Sequence, residues 1–150
     1  MSRYIIDKSK LIENIEIIKK KAGVDIIGVV KGNGYGFGMC NLAEILMQNG
    51  INTFAVTEVY DVPLLRETVL DKDILVMRST CIEDEAQIVA KYNCIATIGS
   101  LEAAKVMDKV SKKLGKKTKC HLKIDTGMGR YGFLPSQVED AIKCKKTSDK

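Results

Sequence analysis

The chain has 150 residues, 45% of them hydrophobic and 29% charged, with a formal net charge of +5. That composition belongs to a globular domain able to bury a sizeable core, and no run approaches the roughly 20 apolar residues of a membrane span. The positive charge gathers at Lys112-Lys113, Lys116-Lys117 and Lys143 to Lys150; interleaved glutamates and only three phenylalanines make it solvated helix faces and a basic tail, not a nucleic-acid surface.

A short extended segment at 3–6 opens the chain, with none of the apolar core or cleavage site of a signal peptide. An amphipathic helix over 8–22 follows, with Leu11, Ile15, Ile18 and Ala22 on one face, Asp7 as cap and Gly23 as stop. Next comes a strand over 25–31, ending in Lys31-Gly32-Asn33-Gly34-Tyr35-Gly36-Phe37-Gly38. The pattern then alternates: helix 39–49, strand 52–57, helix 58–68, strand 73–78, helix 83–92, strand 94–99, helix 101–114, strand 119–125, helix 136–144. Such alternation implies an α/β fold with a parallel sheet, either doubly wound or a (βα) barrel. A closed barrel of TIM type takes eight strands and about 250 residues. Five βα strands therefore make either a small open sheet or an incomplete barrel.

Lys31 stands at the carboxyl end of the first strand, where α/β folds place active sites. An amine beside a glycine-rich loop suits a Schiff base to a phosphorylated aldehyde. On strand 119–125, His121, Lys123 and Asp125 share a face, which is unusual for a strand covered by helices. Lys123 then needs a partner, with Asp125 the nearest candidate in sequence, or a modification. His121 reads as a satisfied interior histidine. The five cysteines at 40, 81, 94, 120 and 144 form no metal-ligand spacing and no disulfide framework; they read as small buried hydrophobes in a reducing cytoplasm.

Two motifs carry a resemblance. Lys31-Gly32-Asn33-Gly34-Tyr35-Gly36 is similar to the pyridoxal-phosphate lysine motif of the alanine racemase family, Lys-Ala-Asn/Asp-Ala-Tyr-Gly-His-Gly. His121-Leu122-Lys123-Ile124-Asp125-Thr126-Gly127-Met128-Gly129-Arg130-Tyr131-Gly132-Phe133 resembles that family's Lys-x-Asp-Thr-Gly-Met-x-Arg-x-Gly segment. Softer echoes lie at Phe54-Ala55-Val56-Thr57 with Leu65-Arg66, and at Ile98 to Ala104. Gly32 and Gly34 depart from the usual alanines, and Phe37 from the common histidine.

The resemblance implies that residues 1–150 are the amino-terminal part of a pyridoxal-phosphate-binding (βα)8 barrel. It further implies a carboxy-terminal β domain in the complete protein and a cytoplasmic homodimer making a D-amino acid for peptidoglycan precursors. Lys31 would hold pyridoxal 5'-phosphate and act as base or acid on one face of the substrate's Cα. Tyr35 would hydrogen-bond the cofactor phosphate, and Arg130 would contact the cofactor and the carboxylate of a small amino-acid substrate. Lys123 matches a lysine often carbamylated in the family. A tyrosine of the neighbouring subunit would serve the opposite face, so this chain alone is expected to be inactive. The substrate implied is alanine, with serine, lysine or ornithine as alternatives. A non-catalytic pyridoxal-phosphate-binding barrel is a further alternative. Membrane and nucleic-acid partners are not implied.

Overall fold

Asp7 begins the first helix by accepting the amides of Ser9 and Lys10 on its Oδ1 at 3.0 and 3.2 Å, and Gly23 ends it in a left-handed conformation at φ 63°. The computed structural model describes residues 5–147 and carries this helix as α1 (Lys8–Ala22). Only part of the expected apolar face is covered. Ile15 is buried and Leu11 packs against the core, whereas Ile18 is 55% exposed. The second half of α1 is held instead by Lys19, whose ammonium donates to the Asn49 carbonyl at 2.8 Å. Of the extended segment expected at 3–6, residues 3 and 4 lie outside the described residues, and Ile5 and Ile6 join no strand.

Among the described residues five strands follow: β1 (Ile27–Val29), β2 (Thr53–Val56), β3 (Asp73–Val76), β4 (Ile95–Ile98) and β5 (Cys120–Leu122). All pairs are parallel and neighbours in the sheet are neighbours in sequence. A doubly wound sheet reverses its strand order at a switch point. No reversal occurs here, so the sheet is a section of barrel wall. A single left-handed turn, α2 (Lys31–Tyr35), follows β1, and α3 (Met39–Gln48), α4 (Val62–Val69), α5 (Glu83–Lys91), α6 (Leu101–Lys113) and α7 (Val138–Thr147) supply the outer layer.

The core lies between sheet and helices. Phe54, Val56, Ile74, Val76, Ala96 and Ile98 point outward into Leu42, Leu65, Val69, Val89, Met107 and Val110. Each large side chain so buried contributes about 1.5–3 kcal/mol. Gly28 belongs to this face because a β-carbon there would stand 2.9 Å from Leu46 Cδ1, so glycine lets α3 close on β1.

The opposite face is the lumen side. Ile27, Thr53 and Asp73 share one register row, and Val29, Ala55, Leu75 and Ile95 share the next. Lys119 pairs with Asp73 across this face at 3.2 Å. Among the described residues nothing covers it fully: Ile27 is 43% exposed, and every residue of β5 is exposed.

The expected helix 136–144 is a 3₁₀ turn at Pro135–Gln137 followed by α7, and three other expected elements change. Strand 25–31 contracts to Ile27–Val29, because Lys31 already belongs to the left-handed turn. Strand 119–125 contracts to Cys120–Leu122, although Lys123 N still donates to Ile98 O at 2.8 Å. Helix 58–68 divides into a 3₁₀ turn at Val59–Asp61 and α4, with Pro63 in the first turn of α4, where its missing N–H breaks no helical bond.

Candidate active site

Lys31 leaves the sheet just past β1 and is half-buried. Gly32, Asn33, Gly34 and Tyr35 then all have positive φ, at 58, 52, 63 and 53°. Left-handed backbone costs an ordinary residue about 1–2 kcal/mol, with glycine exempt and asparagine tolerant. Asn33 also closes the turn. Its Oδ1 accepts the Met39 amide at 3.0 Å, and its carbonyl accepts those of Gly36 and Gly38 at 3.2 and 3.0 Å. The Tyr35 ring is 60% exposed, with Lys31 Nζ 6.0 Å from its centroid.

The second motif is shaped by side chains. Asp125 is buried, and its Oδ1 accepts the Gly127 and Gly129 amides at 3.0 and 3.2 Å. Those hydrogen bonds hold its carboxyl below the usual range. Phe133 is buried and clamps the base of the loop, donating to Lys123 O at 2.8 Å and accepting from Asp125 N at 2.9 Å. Gly132, at φ 122°, sits so close that a β-carbon would lie 2.9 Å from Lys123 O. Arg130 is exposed on this loop.

Lys123 does not take the expected partner. The Asp125 carboxylate is occupied by the loop amides, and Lys123 Nζ donates to Ile124 O at 2.8 Å while lying 5.7 Å from the Tyr131 ring centroid. The Arg130 guanidinium is also 5.7 Å from that centroid. The Tyr131 hydroxyl donates to the Met77 carbonyl at the end of β3.

That bond ties the second motif to the end of β3. Continuing the register past the paired residues puts Thr57, Met77, Thr97 and His121 in one row, and Lys31 leaves the sheet at the same end of β1. β3 is two strand spacings from β1, about 10 Å. The loop bearing Arg130 is therefore anchored within that reach of the strand that delivers Lys31, on the carboxyl-end face.

His121, expected inside, is exposed because the lumen side of β5 is open. The cysteines divide likewise: Cys94 and Cys144 are buried, Cys40 is half-buried, and Cys81 and Cys120 are exposed. Sequence reading missed Tyr131, although it stands inside the second motif. It also missed a cluster at the carboxyl end of β3. Arg78 reaches the buried Glu85 at 2.7 Å and Glu58 at 3.9 Å, and Thr80 donates to Glu85. Burial pushes the Glu85 carboxyl up, but the bonds from Arg78 and Thr80 outweigh it and hold it below the usual value. No local spacing announces that cluster.

Comparisons with known proteins place the chain in a family. The family described as alanine racemase, N-terminal domain, matches residues 6–149. The alanine racemase of Clostridium tetani is 38% identical over 133 residues, which are 88% of this chain and 34% of that protein. That of Methanococcus maripaludis is 35% identical over 145 residues, covering 94% of this chain and 39% of the relative. The chain thus spans little more than a third of these relatives. Among solved structures, alanine racemase from Oenococcus oeni superimposes with a TM-score of 0.83 at 28% identity, over 95% of this chain and 41% of that one. The family model covers nearly the whole length of this parallel barrel wall, and the chain belongs to the alanine racemase N-terminal domain family.

Proposed function

We propose that residues 1–150 form the amino-terminal barrel portion of a pyridoxal-phosphate-dependent alanine racemase. The observation that carries this reading is the Tyr131–Met77 bond, which brings the Arg130 loop to the face where Lys31 leaves β1. The residues present fit the cofactor. Lys31 is half-buried, and β-carbons at Gly32 and Gly36 would meet nothing within 4 Å, so a flat ring can approach the backbone there. Lys31 would hold the aldehyde carbon, Tyr35 the phosphate, and Arg130 the phenolic oxygen. When bound, the group supplies the electron sink that makes an amino acid's Cα proton removable.

The side chains of this chain do the rest. Arg130 binds the substrate carboxylate and fixes its orientation through a forked donor set. The Lys31 amine would move the Cα proton on one face. A carbamate on Lys123 would place a negative charge beside Arg130 in place of a positive one. The opposite face, the dimer and the substrate-discriminating surface belong to the complete protein, for which we propose a cytoplasmic homodimer supplying D-alanine. The names of the relatives favour alanine over serine, lysine or ornithine.

Titrating pyridoxal phosphate into the chain and following its absorbance tests the reading. Saturable one-to-one binding that Lys31→Ala abolishes and Lys105→Ala leaves intact is the expected result. Equal binding by Lys31→Ala would refute it.

A further inference from the structure

We infer that Tyr131 is a positioning residue, setting where the Arg130 guanidinium stands relative to the end of β3 and sharing its ring with the Lys123 ammonium. The inference rests on the reading of Arg130 as the carboxylate-binding group. Three contacts of different kinds meet at this side chain. Its hydroxyl donates to Met77 O, 54 residues away in sequence. Its ring edge fills the space over Gly99, where a β-carbon would stand 3.2 Å from Tyr131 Cδ2. Its centroid lies 5.7 Å from both Lys123 Nζ and Arg130 Cζ.

Each contact answers a separate need. The hydroxyl fixes the loop to a different strand from the one that bears it. The close fit at Gly99 leaves the ring little freedom to swing. The negative ring face attracts both cations and offsets their mutual repulsion. Arg130 is otherwise exposed, and a free arginine loses considerable rotamer freedom when it clamps a ligand. Ordering it beforehand on Tyr131 lowers that cost. A leucine at 131 could occupy the volume over Gly99 but would supply neither the hydroxyl bond nor the ring face.

Tyr131→Phe and Tyr131→Leu in the 150-residue chain separate these contributions. The Arg130 Nε–Hε resonance should be shifted upfield by the ring in the unaltered chain and in Tyr131→Phe. In Tyr131→Leu it should return to the position of a solvent-exposed arginine. Amide exchange at Gly127 and Gly129 should quicken about fivefold in Tyr131→Phe, the loss expected of one hydrogen bond. In chain loaded with pyridoxal phosphate, alanine should bind about fivefold more weakly to Tyr131→Leu. An Arg130 resonance identical in the unaltered chain and Tyr131→Leu overturns the inference. Should Tyr131→Leu not fold, unchanged exchange in Tyr131→Phe overturns it. Failure of the unaltered chain to take up cofactor would sink the racemase reading alone, because the resonance and exchange arms need no ligand.

Discussion

The loops after β1 and β5 both deliver a cation to the same end of the sheet, yet they are built by opposite means. Residues 32–36 take their shape from backbone: consecutive positive φ values, with one asparagine side chain closing the turn. Residues 125–133 take theirs from side chains: a buried carboxylate collecting amides, a phenylalanine in the core, and a tyrosine reaching to another strand. The first loop leaves its surface open for a ligand to approach. The second fixes the direction of a guanidinium. A loop held by backbone should tolerate small side chains facing solvent, whereas one held by packed groups should fail at single atoms.

The sharpest way to break that contrast is Gly132→Ala. Its β-carbon would meet Lys123 O at 2.9 Å and Asp125 N at 3.0 Å in a strained conformation, and we expect a loss of about 3 kcal/mol in urea unfolding. Asp125→Ala strips the Gly127 and Gly129 amides of their acceptor and should rank next, read as a lower melting temperature. Glu85→Gln weakens the pair with Arg78 and should cost about 1–2 kcal/mol, discounted because Arg78 is partly exposed. In the first loop, Asn33→Ala should cost about 1 kcal/mol for its lost bond to Met39. Gly32→Ala should cost no more than about 1 kcal/mol, since its β-carbon meets nothing and the stiffer unfolded chain offsets part of the left-handed strain at φ 58°. A Gly32→Ala effect as large as that of Gly132→Ala would erase the distinction.

Acid sharpens the same comparison. Asp125 and Glu85 both have carboxyls held below their unfolded values. Their stabilisation is fully present above the unfolded pKa of about 4 and is lost as pH falls through the lower folded values. Unfolding should therefore steepen below about pH 4, and less so in Asp125→Asn or Glu85→Gln. A first-loop variant such as Gly32→Ala should leave that acid limb unchanged.

Much of this was legible in sequence. The alternation of β-rich and helical runs gave the parallel order, and glycines flanking Lys31 and Arg130 marked both loops. What escaped was long-range or depended on coverage. Nothing near Tyr131 signals a bond to Met77, and nothing in the spacing of Arg78, Thr80 and Glu85 signals a buried cluster. His121 and Cys120 were expected inside on the assumption that both faces of β5 are covered, and β5 is exposed. Lys123 and Asp125 share a strand face, yet the carboxylate serves its own loop, because two amides two and four residues on reach it first.

Borohydride reduction after incubation with pyridoxal phosphate, followed by peptide mapping, tests the central claim most directly. The account predicts one modified lysine, Lys31, with Lys123 and the surface lysines unlabelled. Label distributed evenly over the exposed lysines, or concentrated away from Lys31, would contradict it.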